Sequence, residues 1–295
     1  MRCTRNPLMH NKLEQAAQRT LAKITDTGET LKPLNLQPDR AVFLAESPGI
    51  ILKVYAEANK LRHEYETAQK AQAQGVPVPT ILLFDDSQPS VLAMKQVIGK
   101  PLSSEDTFTA KEAGKYIEQF HTISTSPPFS GGQTQWSEFI SWWSNREIGN
   151  LEKLNIFAAN EIALLKNMFS TMKRTLVDRP IRLLHGDLQA EHILVNPQSQ
   201  RVVAFLDFAD AQPGDPLLDI AVLSLWDAHL ADRVLEGYTS KRSRIILEGN
   251  GLVELALKGY NTMQQQYVSL LCRQIQDIGY VRFNNRRCDW TRKGQ

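Results

Sequence analysis

The sequence predicts an α+β fold of two lobes, a small β-rich lobe over residues 1–97 and a mainly helical lobe over residues 98–295. Three features carry that expectation. The first hundred residues spell β-β-α-β-β, helical periodicity dominates after Pro101, and a polar stretch rich in Asp and His is set between apolar runs at residues 183–208. With 295 residues, 42% of them hydrophobic and 22% charged, the chain can bury a sizeable core.

Asn11 to Ile24 place Leu13, Ala16, Ala17 and Leu21 at helical spacing ahead of Gly28, a short leading helix. From Leu34 to Tyr55 the pattern shifts to β-rich runs, Ala41–Ala45 and Ile50–Tyr55, separated by the turn-forming Ser47-Pro48-Gly49. A β-hairpin is expected there. Ala56 to Gln74 reads as a helix with Leu61, Tyr65 and Ala68 on one face, and Gly75 stands where a C-terminal glycine belongs. Two more extended runs, Thr80–Phe84 and Val91–Val97, flank the polar turn Asp85–Pro89.

After Pro101 the clearest helix is Ala110–Ile123, with Thr109 and Glu112 read as a capping box and Ala113, Tyr116, Ile117 and Phe120 lining one face. Asn160–Leu176 repeats the periodicity through Ile162, Leu165, Phe169 and Met172. Between them, Trp136, Trp142 and Trp143 lie in a segment that periodicity does not place; they read as core packing. The chain beyond residue 240 is rich in Lys and Arg, the pattern of a solvated helix face and a frayed terminus.

A formal net charge of +2 gives no electrostatic reason to expect a nucleic acid or a membrane as partner. Cys3, Cys272 and Cys288 are too few and too scattered for a disulfide framework or a CxxC metal site, so free thiols in a reducing compartment are expected. The N-terminal stretch lacks the apolar core of a signal peptide, and no apolar run approaches the roughly 20 residues that span a bilayer. The expectation is a cytoplasmic protein. GxSxG, HExxH and a GxGxxG following a strand are all absent from the sequence, which removes the enzyme classes that depend on them.

The segment Leu183–Val195, followed after Pro197-Gln198-Ser199 by Val202–Phe208, reads as a hairpin that brings Asp187, His192 and Asp207 to one edge. Phosphoryl transfer from a nucleotide needs ligands for the metal on the phosphates and a carboxylate to orient the attacking hydroxyl. Asp187 suits the second task and Asp207 the first.

At this point the chain resembles a known family. His185-Gly186-Asp187 with His192 five residues beyond Asp187, Asp207-Phe208, and Gly214-Asp215-Pro216-Leu217-Leu218-Asp219 are together similar to the signature of the aminoglycoside phosphotransferases, protein-kinase-like kinases of small molecules. Upstream, Ile51-Leu52-Lys53-Val54 resembles the strand bearing the nucleotide-binding lysine, and Arg62-His63-Glu64 resembles the helix bearing its glutamate partner. Gly75-Val76-Pro77-Val78-Pro79 resembles a frequent family phrase, and Leu92–Leu102 the hinge beside the nucleotide base, with Lys95 and Val97 as contacts. The resemblance implies ATP or GTP with Mg2+ as cofactors and a two-lobed protein-kinase-like fold. It further implies Lys53 on the α- and β-phosphates, Glu64 holding Lys53, and Asp187 as the catalytic carboxylate. His192 and Asp207 would be metal ligands, His185 would brace the catalytic loop, and Asp219 would accept from that loop's amides.

Two departures accompany the match. The family more often has asparagine at the position of His192, although histidine also occurs there in aminoglycoside 2''-phosphotransferases; a purely structural histidine is the alternative. The turn Gln37-Pro38-Asp39-Arg40 between the first two strands has no glycine, so backbone amides would cover the phosphates less closely.

Only Phe208–Leu218 separates Asp207 from Asp219, too little for a peptide platform, so the expected partner is a small-molecule hydroxyl acceptor. An aminoglycoside-like antibiotic would need a carboxylate-rich pocket, for which Asp210, Trp226 and Asp227 are the candidate lining residues. The basic C-terminal segment makes a sugar or another neutral or anionic metabolite an equal candidate. A second class of function stays open on the sequence: a catalytically silent, nucleotide-binding regulatory module of the same fold, suggested by His192 and the glycine-free turn.

Overall fold

Alternating burial along the central strands decides which side chains face the cleft. In the computed structural model, which describes residues 7–26, 28–129, 132–154 and 180–238 with parts of 158–170, helix α1 (Pro7–Leu21) packs on an antiparallel sheet. That sheet runs in the order β1-β2-β3-β5-β4, from β1 (Lys32–Leu36), β2 (Arg40–Ala45), β3 (Ile50–Tyr55), β4 (Ile81–Asp85) and β5 (Ser90–Lys95). Ile50, Leu52 and Val54 of β3 join Leu13 and Leu21 of α1 in one apolar cluster. The two-residue period of the strand then turns Ile51 and Lys53 to the opposite face.

Helix α2 (Ala58–Ala73) lies between β3 and β4 in the chain and buries Leu61, Glu64, Ala68 and Ala71. Gly75 ends it with φ +80°, its N–H donating to the Gln72 carbonyl at 2.9 Å while the Val76 N–H donates to the Ala71 carbonyl at 3.0 Å. This pair of bonds is a Schellman motif, which requires a residue tolerant of the left-handed region.

The expected order lacks β1. All five residues of Lys32–Leu36 are exposed, and Pro33 and Asn35 disfavour a strand locally; pairing with β2 as an edge strand creates it.

The second lobe contains β6 (Lys100–Pro101), α3 (Thr107–Phe120), α4 (Trp136–Leu154), β7 (Arg182–Leu184), β8 (Ile193–Asn196), β9 (Arg201–Phe205), β10 (Gln212–Gly214), α5 (Leu217–Trp226) and α6 (Ala228–Gly237). Its main core combines Ile117 and Phe120 of α3, Leu223 of α5, Leu230 of α6 and Val195 of β8, and it continues into Ala68 and Ala71 of α2. Apolar packing therefore runs from one lobe into the other. Among the described residues no helix is long and apolar enough to cross a membrane.

Three expectations need correction or completion. Thr109 and Glu112 form no capping box: α3 starts at Thr107 behind Asp106, whose side chain makes no cap bond. Both residues instead face the β8–β9 hairpin, Thr109 Oγ1 donating to the Gln200 carbonyl at 2.7 Å and Glu112 Oε2 accepting the Val202 N–H at 2.9 Å. The stretch 183–208 is not one hairpin either. β7 pairs with β10, the loop 185–192 intervenes, and only β8 and β9 form the hairpin. The tryptophan segment is helix α4, where Trp136 is buried with Phe129 and Phe139 and Trp142 and Trp143 pack against that cluster. Ile162 is buried as expected; Leu165, Phe169, Met172, the basic segment beyond residue 238 and the Trp226 side chain lie outside the described residues.

Candidate active site

Lys53 stands at the meeting point of the two lobes. Its Nζ lies 2.5 Å from Glu64 Oε1 on α2 and 3.1 Å from Asp207 Oδ1. Burial alone would push the ammonium pKa down, but the two carboxylates reverse this and hold Lys53 above the usual lysine range. Glu64 is almost wholly buried, and desolvation pushes it above the ordinary carboxylate range against the pull of Lys53. Burial also acts to raise Asp207; there Lys53 and His192 prevail and keep it below that range.

Asp207 follows β9 with φ +66°, a left-handed conformation uncommon for a residue with a side chain. Such conformations persist where the surroundings enforce them, as at functional sites. Immediately after it, Phe208–Asp210 form one 3-10 turn. α2 grips this turn from the other lobe: Lys60 Nζ is 3.1 Å from Asp210 Oδ1, and His63 Nε2–H donates to the Ala211 carbonyl at 2.6 Å.

The loop after β7 depends on Gly186, whose φ is +83° and whose Cα lies close against the 208–211 segment: a Cβ there would lie 2.0 Å from the Asp210 carbonyl oxygen. Asp219, in the first turn of α5 and 0% exposed, holds the loop by its amides. Its Oδ2 accepts the His185 N–H at 2.7 Å and its Oδ1 accepts the Gly186 N–H at 2.9 Å. His121 Nε2 is 2.9 Å from Asp219 Oδ2, and the Tyr238 hydroxyl is 2.8 Å from His121 Nδ1. Burial acts to raise Asp219, yet the His121 hydrogen bond and the neighbouring imidazoles keep it below the usual carboxylate range. His185 Nε2–H donates to the Leu206 carbonyl at 2.9 Å, tying the loop to the end of β9, and burial lowers its pKa.

His121 was not anticipated. It follows the apolar face of α3 directly, and a histidine closing such a face is a weak local signal whose partner lies 98 residues away.

Asp187 is half-exposed, and its Oδ1 accepts from Gln189 Nε2 at 2.6 Å. His192 ends the 3-10 turn Ala190–His192; its Nδ1 bonds the Asp187 carbonyl at 2.7 Å, and its Nε2 lies 3.7 Å from Asp207 Oδ2. Asp187 and Asp207 thus flank the His192 imidazole, with Lys53 on the far side of Asp207.

Beside them opens a cleft of about 280 Å³, lined from the sheet by Val42, Ile51, Leu92 and Met94 and from the other lobe by Leu194 and Leu206. Lys53, Glu64 and Asp207 line it too, as do Lys95 and Val97 from the connection between the lobes. An apolar slot with charges grouped in this way suits a flat base followed by phosphates.

The two carboxylates expected to line an acceptor pocket each have a partner within the protein. Asp210 pairs with Lys60, and Asp227 caps α6 by accepting the Leu230 N–H at 2.9 Å.

Among the described residues no three His, Cys, Asp or Glu side chains form a complete protein-only metal site. Magnesium, however, usually binds through one or two carboxylates plus substrate phosphates. Asp207 Oδ1 faces Lys53 while Oδ2 lies toward His192, so the donor set fits a cation whose remaining ligands come from a nucleotide.

Comparison with known proteins identifies a family and a fold. A model described as the phosphotransferase enzyme family, APH, matches residues 30–247. Acyl-CoA dehydrogenase family member 11 of Rattus norvegicus is 25% identical over 198 residues, covering 63% of this chain and 25% of that protein; the Homo sapiens protein is 24% identical over the same length. The chain spans about a quarter of the length of these relatives. Among solved structures, the streptomycin–ATP–APH(2'')-IIa ternary complex superimposes with a TM-score of 0.62 at 16% identity, covering 86% of this chain and 88% of that one. ADP-bound aminoglycoside phosphotransferase APH(2'')-Ib gives 0.62 at 17% identity, covering 92% of each chain. A thermostable APH(4)-Ia mutant with AMP-PNP and hygromycin B gives 0.63 at 18%, covering 93% and 97%. These likenesses establish the two-lobed kinase-like fold.

Proposed function

The chain belongs to the phosphotransferase enzyme family, and from that premise we propose that it transfers the γ-phosphate of ATP or GTP, with magnesium, to a hydroxyl group of a small molecule. One observation carries the reading: Lys53 on the sheet reaches both Glu64 and Asp207, while Asp187 and His192 lie alongside. Solved structures of the same fold hold ATP, ADP or AMP-PNP, which supports a nucleotide in the corresponding cleft. A cytoplasmic setting, where both nucleotides are supplied, belongs to the same reading.

In this mechanism the base lies in the apolar slot against Ile51, Leu92 and Met94, with Lys95 and Val97 at its edge. Lys53, kept cationic by its two carboxylates, binds the α- and β-phosphates; Glu64 fixes its direction. Asp207 and His192 would hold magnesium, which when bound neutralises charge on the phosphate oxygens. Asp187, half-exposed and oriented by Gln189, accepts the proton of the acceptor hydroxyl as its oxygen bonds to the γ-phosphorus and the bond to the β–γ bridging oxygen breaks. Nucleoside diphosphate leaves. Asp219 keeps the loop bearing Asp187 in register through the His185 and Gly186 amides.

The acceptor is an aminoglycoside-like antibiotic, a sugar or a related metabolite. Streptomycin and hygromycin B accompany the solved relatives, and they head the panel to be tested. The experiment is a screen of hydroxyl compounds with ATP and with GTP, scored by release of ADP or GDP and repeated with Asp187→Ala. Turnover by the wild type that Asp187→Ala abolishes supports the proposal. Magnesium-dependent nucleotide binding without transfer to any compound would favour a silent nucleotide-binding module.

A further inference from the structure

The cleft face of the sheet carries a second cation, Arg40. Ala41 and Phe43 of β2 and Leu52 and Val54 of β3 pack toward α1, so the alternate residues Arg40, Val42, Lys53 and Tyr55 share the opposite face. The register pairs Val42 with Lys53 and Arg40 with Tyr55. Val42 and Lys53 line the cleft between the lobes. Arg40 and Tyr55 therefore stand one step further along the same face, about 7 Å at the usual strand rise. A nucleotide runs in that direction. Ile51 lies in the slot assigned to the base and Lys53 at the α- and β-phosphates, and the next level of the ladder is Tyr55 with Arg40. Base and phosphates laid along β3 in this order bring the γ-phosphate toward Arg40.

The arginine is held in place on two sides. Its guanidinium lies over the Tyr55 ring, 5.8 Å from the centroid, and its Nε donates to Gln37 Oε1 at 2.6 Å. The turn that it closes is itself tied down. The Gln37 N–H donates to the Arg40 carbonyl at 2.9 Å, the Ala56 N–H donates to the Asp39 carbonyl at 2.8 Å, and His10 Nε2 of α1 lies 3.2 Å from the Gln37 carbonyl oxygen. Among the described residues no carboxylate pairs with Arg40, and its two terminal nitrogens meet no partner. Lys53, by contrast, already meets Glu64 and Asp207. A half-buried guanidinium that is oriented, not neutralised and open at its fork suits a phosphate, whose oxygens it can bind in pairs.

We propose that Arg40 binds the γ-phosphate of the nucleotide, so that a side-chain cation does in this chain what a glycine-rich loop does in protein kinases. The inference rests on the nucleotide reading given above and adds the residue that separates a triphosphate from a diphosphate. The turn Gln37-Pro38-Asp39-Arg40, with no residue at positive φ, fits this division: it carries the guanidinium to the phosphate instead of its own amides.

The test is calorimetric titration of the full chain, with Mg2+, by the imidotriphosphate that the wild type binds more tightly, AMP-PNP or GMP-PNP, and by the matching diphosphate. Arg40→Gln removes the charge and the fork; Arg40→Lys keeps the charge and an aliphatic stem over Tyr55 but not the fork. The expected result is a loss of roughly tenfold in triphosphate affinity in Arg40→Gln, a smaller loss in Arg40→Lys, and diphosphate affinity changed by less than about threefold in both. The ratio of the two affinities is the readout, because an arginine that only supports the turn moves both together. Equal losses for triphosphate and diphosphate, or unchanged triphosphate affinity, overturn this inference and leave the nucleotide reading standing. Should Arg40→Gln not fold, the same ratio in Arg40→Lys decides. A wild type that binds neither imidotriphosphate overturns both.

Discussion

Lys53 and Asp207 meet at 3.1 Å between Nζ and Oδ1 although 154 positions separate them in the chain. No local interaction can hold such a contact, so it depends on the shared apolar core and on α2, which brings Glu64 to the same ammonium. Removing one partner of a buried pair leaves the other charge uncompensated, at a cost of about 3–5 kcal/mol. Lys53→Met and Glu64→Gln are each expected to destabilise the fold, with Lys53→Met the more damaging because two carboxylates lose their counter-charge. Urea unfolding of both single variants and the double variant checks this. The double variant should cost less than the sum of the singles by at least about 1 kcal/mol, the coupling expected of residues in contact; strict additivity would count against the pair.

Asp187 is assigned to the acceptor hydroxyl rather than to the nucleotide. Asp187→Asn keeps the shape of the Gln189 contact but removes the proton acceptor, and general-base losses are on the order of 10²–10⁴-fold. Release of ADP with the best compound of the hydroxyl panel should fall by that much. Activity within a few-fold of wild type would remove Asp187 from its role.

Two buried groups tie stability to pH. Burial lowers the pKa of His185 below the ordinary 6.5, so the unfolded chain binds a proton there before the native state does. The stability His185 contributes is complete above about pH 6.5 and is lost as pH falls below it. Asp219 is held below the ordinary 3.8, so its contribution persists above that value and is lost as pH falls through the lower native pKa. Urea midpoints measured from about pH 7.5 down to about pH 2 should therefore decline in two stages, and His185→Gln should remove the first stage only. An identical pH profile for His185→Gln and wild type would show that His185 does not titrate as described.

Gly186 is required by both conformation and space. A Cβ at φ +83° is strained, and it would meet the Asp210 carbonyl oxygen at 2.0 Å. Gly186→Ala is expected to cost at least about 2 kcal/mol and to lower turnover more than nucleotide affinity, because it displaces the loop bearing Asp187. Thermal unfolding and AMP-PNP titration of the same variant check the two halves.

How much of this was legible in advance depended on the range of the interaction. Strand alternation in Ile50–Tyr55 and the glycine after α2 are local signals, and both structures formed as the pattern indicates. β1 escaped notice because its own residues do not favour a strand; its partner β2 makes it one. The Thr109 and Glu112 pattern matched a capping box in spacing, but tertiary bonds to residues about 90 positions away took both side chains. At the site, the short spacing among His185, Asp187 and His192 was visible, whereas His121 on Asp219 and Lys60 on Asp210 join residues 98 and 150 positions apart. Nothing in a local pattern marks such pairs. The Lys60 contact also changes the meaning of Asp210, which reads as a free carboxylate in the sequence and is an interlobe ion pair in the fold.

Calorimetric titration of AMP-PNP in the presence and absence of Mg2+, on the wild type, Asp207→Asn and Asp187→Asn, tests most directly whether these carboxylates divide the work of phosphoryl transfer. Magnesium-dependent binding by the wild type, a loss of roughly tenfold or more in Asp207→Asn, and affinity preserved in Asp187→Asn are the expected outcome. Binding indifferent to magnesium and to Asp207, or lost equally in both variants, would refute this division of roles.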